Sequence, residues 1–427
     1  MPAEVWKNKA KTLATFTTIQ TAVQAIMAVS GFLIVRVLSK SEYAAYTIAA
    51  SFQTLLNSLT DCGVGTGLNA LGGRVWQDAA RLNGLVAASV RLRGYLASGA
   101  IPVTVISAVY LLRKNHVSWI TTVTLAVCIV ATIWGTFLTT IYSTPLRLRS
   151  LYTTVQRFEL LGACLRLMLI AALAFIFLNA VIAILVTAIA LTVQGLLLRR
   201  RAIKILGEEI HQDEADRSAL VALIKKQAFT TVFFAYQGQV TIWIISIFGS
   251  TEKVADVGAL TRLAVVFGIV SSVLGGLVAP TFARCESLER LGRLFALALA
   301  SYLAAAALLL FCSFAFPREV LWILGGKYMS LTHEVPLLVA SAIIGGLTGV
   351  IHTLSWSRGW VWHMWTIPFV TLLVQIIAVR LLPLNTVAGV LEFSIFSATP
   401  WLLVTSYMAT RGFWTSWKAG YLAPVAS

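Results

Sequence analysis

Apolar stretches of membrane length alternate with short polar or basic breaks from residue 14 to residue 411. About twelve stretches of roughly 20 residues can be marked off, at 14–36, 43–71, 94–112, 119–141, 160–178, 180–198, 228–248, 257–282, 294–316, 335–354, 364–382 and 388–409. A water-soluble chain buries its apolar residues in amphipathic or alternating patterns, so runs of this length imply lipid as the solvent. A bilayer core satisfies no backbone hydrogen bonds, which restricts the spans to helices or a closed barrel. Barrel strands are shorter and alternate; these runs are continuous and rich in Leu and Ala. The pattern predicts an all-α polytopic membrane protein of about 12 transmembrane helices.

The longest polar break, 199–227, falls after six stretches and before six more. It predicts an N-terminal lobe at 1–198, a cytoplasmic linker at 199–227 and a C-terminal lobe at 228–427. LSKSEYAAYTIAASF after the first stretch and FGSTEKVADVGALTRL after the seventh are faintly alike. Two six-helix lobes related by an internal repeat around a central cavity are a common transporter plan. Residues 74–93 read as an amphipathic helix on the inner leaflet, with Leu82, Leu85 and Val86 among arginines. Residues 317–334 form the largest outer break, too short for an extracytoplasmic domain.

Composition strengthens this picture and charge orients it. Hydrophobic residues make up 58% of the chain and charged residues 12%. The formal charge of +16 would suggest nucleic acid in a soluble protein. Here the basic residues concentrate in alternate breaks, among them Arg91, Arg93, Arg147, Arg149, Arg199, Arg200, Arg201 and Arg217. The positive-inside rule then places both termini in the cytoplasm and excludes a nucleic-acid partner. The first stretch is too long for a signal peptide and has no A-x-A-like site, so it reads as a retained span. Five scattered cysteines without a CxxC pair predict neither a disulfide framework nor a metal site.

No catalytic constellation is present. The five histidines are far apart, and no phosphate-binding loop, HExxH, GxSxG or paired-acid motif occurs. The glycines of TDCGVGTG (60–67) lie inside an apolar stretch, where they point to close helix packing or a local break. The informative residues are charges at membrane depth, each costing roughly 2.5–3.5 kcal/mol on insertion scales. They are Arg36, Asp61, Arg166, Arg262 and Glu392, with Arg157 at the mouth of the fifth span. Snorkelling to the headgroups is the plain alternative for Arg36, Arg166 and Arg262, and pairing with arginines is the alternative for Asp61 and Glu392. The excess of buried Arg over buried acid predicts a cavity of positive potential, suited to an anionic substrate. Pro102, Pro280, Pro368 and Pro400 in or near spans suit helices that bend.

Three motifs carry a family resemblance. FLIVRVLSKSEYAAYTIAASFQTLLNSLTDCGVG (32–65) resembles the first hairpin of bacterial Wzx-like polysaccharide flippases, of the multidrug/oligosaccharidyl-lipid/polysaccharide exporter superfamily. GALTRLAVVFGIVSSVLGGLVAPTFAR (258–284) resembles the family's eighth span, and VLWILGGKYMS (320–330) its outer loop before span ten. Ala44 and Ala45 stand where glycine is frequent, and Gln237 and Gln239 where many relatives carry an acid.

The resemblance implies flipping of an undecaprenyl-pyrophosphate-linked oligosaccharide from the cytoplasmic to the periplasmic leaflet of the bacterial inner membrane. Arg36, Arg157, Arg166, Arg262, Asp61, Gln239 and Glu392 are the candidate substrate-binding residues, and Tyr43, Tyr46, Trp134 and Tyr236 candidate sugar-stacking aromatics. It implies no enzyme activity, no cofactor beyond an unidentified coupling ion (H+ or Na+), and membrane lipids and other polysaccharide assembly proteins as partners. The competing readings are a drug/cation antiporter of the same superfamily, which wants buried acids, and a polysaccharide polymerase- or ligase-type membrane enzyme, which wants a large outer loop.

Overall fold

The computed structural model describes residues 3–207, 213–264, 278, 281–283, 285, 287–360, 362 and 364–418, with side chains from residue 18 onward except Lys226. The described residues are helical with short connections. They form α1 (Ala3–Val37), α2 (Lys40–Asp61), α3 (Val64–Val75), α4 (Ala79–Lys114), α5 (Trp119–Leu148), α6 (Tyr152–Ala174), α7 (Ala180–Leu206) and α8 (Glu214–Gln237). There follow α9 (Val240–Phe248), α10 (Thr251–Leu263), α11 (Leu288–Ala315), α12 (Pro317–Trp322), a 3₁₀ turn (Gly326–Leu331), α13 (Val335–Ser357), α14 (Thr366–Leu381) and α15 (Val387–Lys418).

The apolar stretches lie mainly on helix; 175–178 and 364–365 are turn or loop, and 265–277 of the eighth, with Pro280 and the Gly275–Gly276 pair, lies outside the described residues. Seven of the described helices are individually long and apolar enough to cross a bilayer, and α8, bent by 48° after Lys225, counts as an eighth. The protein is an all-α polytopic membrane protein.

Three boundaries differ from the sequence expectation. The stretch 43–71 is two helices, broken at Cys62 and Gly63. The stretch 228–248 is also two, broken at Gly238 and Gln239. The expected separate amphipathic helix at 74–93 does not exist: α4 runs unbroken from Ala79 through Arg93 to Lys114. Its basic residues do not end the helix because only one face of α4 meets the protein. Its buried residues are Leu82, Gly84, Leu85, Val86, Ser89, Arg93, Ala97, Thr104, Ala108, Leu111 and Leu112, all but Gly84 three, four or seven residues from another of them.

By internal contacts the chain divides into two compact units, Met1–Ile247 and Phe248–Ser427. In the first, α5 and α7 pack most closely. A Cβ at Gly135 would lie 2.8 Å from the Thr192 backbone nitrogen, and one at Gly195 would lie 2.4 Å from Leu138 Cβ. Glycine at both positions lets the helix backbones approach, the usual solution where lipid supplies no hydrophobic drive for association.

Val64, Leu68, Leu82, Leu85, Leu146, Leu198 and Leu220 form a buried cluster drawn from α3, α4, α5, α7 and α8. The polar stretch 199–227 is therefore helical on both flanks and packed on this unit. Arg149 Nη1 donates to the Ile205 carbonyl (3.1 Å) and Asn83 Nδ2 to the Gly207 carbonyl (3.3 Å). Helix starts carry the expected caps: Ser39, Asp78, Ser118, Asn179 and Asp213 each accept a backbone N–H two or three residues on. Glu42 reaches further, its Oε2 accepting the Ala180 N–H (2.8 Å) at the first turn of α7.

The second unit has its own core of Phe282, Leu291, Ala298, Tyr302, Leu354 and Trp360. The Tyr302 hydroxyl donates to the Ile343 carbonyl (2.9 Å) and ties α11 to α13.

Candidate functional site

The break between α2 and α3 builds a charged centre inside the first unit. Asp61 ends α2; Cys62 and Gly63 then take left-handed conformations with φ of 39° and 88°. Such angles cost a side chain roughly 1–2 kcal/mol and favour glycine at the second position. Gly63 also leaves space for Gln227, whose Oε1 would lie 2.9 Å from a Cβ there. The Gly65 N–H at the start of α3 donates to Asp61 Oδ1 (3.2 Å). Arg93 of α4 donates from Nη2 to the same oxygen. One carboxylate oxygen thus holds both the restarting helix and the arginine.

Arg93 is the largest of the fully buried side chains, 1% exposed. Its guanidinium carbon lies 5.1 Å from the centre of the Phe137 ring, a cation–π contact from α5. Its Nε and Nη1 are buried and have no hydrogen-bond partner among the described residues. The Asp61 side chain is 28% exposed, so the pair has an accessible acidic side and a buried basic one. An unsatisfied buried N–H costs about 1–3 kcal/mol, more when it belongs to a charged group. Nε and Nη1 lie on different edges of the guanidinium, each edge shared with Nη2, so an oxyanion oxygen reaches either of them beside the nitrogen that already serves Asp61.

A second buried arginine lies on α6. Arg166 is 8% exposed; among the described residues its Nη1 meets only a thioether, Met27 Sδ of α1 at 3.4 Å, and its Nε is buried without a hydrogen-bond partner. Sulfur is a weak acceptor, so this guanidinium too is poorly served by the protein.

The remaining expected site residues occupy separate positions. Arg36 is exposed at the end of α1 and Arg157 is exposed on α6. Beside the latter, Glu159 accepts from Arg147 Nη2 (2.9 Å). Gln239 is half-buried at the α8–α9 break, where its N–H bonds the Tyr236 carbonyl (2.9 Å). Arg262, in the last turn of α10, and Glu392, on α15, are half-buried in the second unit. Of the aromatics, Tyr43 and Tyr46 are core side chains, 0% and 3% exposed, and make no accessible stacking surface. Tyr236 does face open space: with Trp243, Phe52, Leu55, Ser107 and Tyr110 it lines a cleft of about 440 Å³ in the first unit.

Sequence reasoning paired Asp61 with an arginine as one alternative but assigned Arg93 to an interfacial break. The signal that finds Arg93 is register: it lies four residues after Ser89 and four before Ala97, on the buried stripe of α4.

No family model matches the sequence, and no curated protein does. Solved structures match over nearly the whole chain. One is an inward-facing multidrug resistance MATE family transporter of the MOP superfamily, at TM-score 0.65 and 13% identity over 92% of this chain and 98% of that one. Another is the lipid II flippase MurJ in an inward closed conformation, at TM-score 0.61 and 12% identity over 95% and 93%. A third is a MOP superfamily transporter from Pyrococcus furiosus, described as having a binding pocket of reverse polarity and a different function, at TM-score 0.57 and 14% identity over 94% of both chains. The chain has the fold of MOP-superfamily transporters.

Proposed function

We propose that this protein is a flippase that carries an undecaprenyl-pyrophosphate-linked oligosaccharide, a polysaccharide repeat unit, from the cytoplasmic to the periplasmic leaflet by alternating access. The observation that carries the reading is the burial of Arg93 and Arg166 with N–H groups left unserved by the protein. Buried guanidinium groups with spare donors favour an anion and disfavour a cationic drug. Asp61, the acid paired with Arg93, is neutralised by it and so does not offer the free carboxylate that a cation antiporter needs. The likeness to a lipid II flippase supports a lipid-linked substrate, and the likeness to a transporter of reversed pocket polarity supports departure from drug export.

In this reading Arg93, Arg166 and Arg262 contact the pyrophosphate at different stages, with Arg36 and Arg157 nearer the ends of the path. A ligand shifts a conformational equilibrium only by its differential affinity for the two states, and a bidentate arginine–phosphate contact made in one state supplies that difference. The test is glycan export in a strain lacking the chromosomal copy, normalised to folded protein in the membrane. Arg262→Ala and Arg166→Ala are expected to reduce export at least tenfold, and Arg262→Lys, which keeps charge but loses the planar fork, to reduce it less. A deletion strain that exports its surface glycan normally, with no lipid-linked precursor trapped on the inner leaflet, overturns the reading.

A further inference from the structure

Of the described methionines two are exposed, Met27 on α1 and Met168 on α6, at 39% and 62%. Met27 lies midway along the apolar part of α1, Thr18–Val37. Its neighbour sets it apart. Its Sδ is 3.4 Å from Nη1 of Arg166, a guanidinium 8% exposed whose Nε has no hydrogen-bond partner. Met168 follows Arg166 by two residues, about 200° around the same helix, so it faces away from that contact.

The pair is mismatched as it stands. A guanidinium is best served by oxygen, and a thioether is a weak acceptor. Oxidation corrects the mismatch. A thioether that gains one oxygen becomes a sulfoxide, and an apolar side chain becomes a polar one. The sulfoxide oxygen is a strong acceptor, and on this sulfur it forms within reach of Arg166 Nη1. A charge-assisted N–H···O bond then replaces an N–H···S contact. That bond uses up a donor that Arg166 otherwise offers to an anion.

We propose that Met27 is a redox modification site whose sulfoxide closes Arg166 to its anion. The oxidant is a neutral two-electron one, of the hypochlorous acid or hydroperoxide class. With hypochlorous acid an S–O bond forms and the O–Cl bond breaks. Sulfur loses two electrons, and chlorine leaves as chloride with release of a proton. A neutral oxidant reaches the exposed sulfur from water or from lipid alike. Methionine sulfoxide reductases reverse the change. The consequence for transport rests on the anion reading of Arg166; the bond between sulfoxide and guanidinium does not.

The experiment treats the full chain in detergent with graded hypochlorous acid. Dithiothreitol follows, which returns sulfenic acids and disulfides to thiols and leaves sulfoxides in place. Sulfoxide at Met27 and Met168 is counted by peptide mass spectrometry. Sulfoxidation should lower the unfolding midpoint less in the wild type than in Arg166→Leu, where the new oxygen meets no guanidinium. Affinity for inorganic pyrophosphate, read by calorimetry, should fall about tenfold on oxidation, the weight of one charge-assisted hydrogen bond. Oxidised Met27→Leu should keep the affinity it has untreated, and oxidised Met168→Leu should lose affinity as the wild type does. Met27→Gln, which supplies a carbonyl oxygen in place of the sulfoxide, should bind pyrophosphate weakly with no oxidant.

Equal midpoint losses in the wild type and Arg166→Leu overturn the proposal, as does a Met27 that resists conversion while Met168 converts. Undiminished affinity in the oxidised wild type also overturns it. Absence of pyrophosphate binding before oxidation counts against the anion reading itself, and the midpoint comparison then decides the sulfoxide–arginine bond on its own.

Discussion

Helix α4 carries two arginine–aspartate pairs in opposite surroundings. At its first turn, partly exposed Arg81 donates from Nε and Nη2 to the two oxygens of Asp216 (2.7 and 2.9 Å), and Nη2 lies 3.2 Å from Asp213. Twelve residues on, buried Arg93 has one carboxylate oxygen and leaves two nitrogens unpaired. The better geometry is where water would have served almost as well, and the poorer is where water is excluded. Exposed pairs are worth about 0–1 kcal/mol however well formed. A buried pair gains little net stability over apolar residues yet is costly to break from one side. Arg81 is a fastening that the fold uses to hold the start of α8. Arg93 is a charge the fold tolerates, and a tolerated buried charge calls for a use.

The largest expected effect tests that distinction. Asp61→Ala leaves Arg93 charged and alone, and should destabilise the protein by about 3–5 kcal/mol, read as a fall in the thermal unfolding midpoint in detergent. Asp61→Leu with Arg93→Met removes both charges and should restore abundance to near the wild-type level while export stays lost. Wild-type export by that double variant reduces the pair to packing and collapses the contrast with Arg81.

Gly63→Ala should come next, at about 1–2 kcal/mol for a side chain in the left-handed region, with a further contribution from the Gln227 contact. Gly63→Asn should cost less, since asparagine visits that region more readily. Equal losses for the two, compared by unfolding midpoint, would place the constraint in the Gln227 contact and not in φ.

The smallest effect belongs to the exposed pair. Arg81→Gln should lower stability by no more than about 1 kcal/mol, and the difference should vanish in high salt. A loss as large as that of Asp61→Ala, persisting in molar salt, erases the comparison.

What the sequence made legible follows from the same physics. Membrane-length runs are legible because lipid demands them, and they located helices wherever the chain is described. The break at Cys62–Gly63 is legible as clustered glycine in an apolar run, though close packing predicts the same letters. The unity of α4 is not legible from hydropathy, because Arg81, Arg91 and Arg93 lower the local average as a loop would. Only Arg93 lies on the stripe that packs. The burial of Tyr43 and Tyr46 was hidden for a related reason: an aromatic beside a candidate path has the same letter as one in the core. Arg166 was legible as a charge inside an apolar run, but its thioether neighbour on α1 is a tertiary fact.

The unbroken course of α4 has a mechanical consequence. Arg81 lies about 18 Å along the axis from Arg93. A rigid rod pivoting by about 10° at Arg93 carries Arg81 through about 3 Å, as long as the bond that holds it to Asp216. A small angular change where the charge is buried becomes, at the far end, a contact either made or lost. The helix is a lever with its fulcrum in the charged centre, and the start of α8 is the stop against which it rests. A thiol-specific bifunctional crosslinker joining Arg81→Cys to Asp216→Cys, long enough to replace the arginine side chain, pins that lever, and export unchanged by complete crosslinking shows that α4 does not tilt during transport.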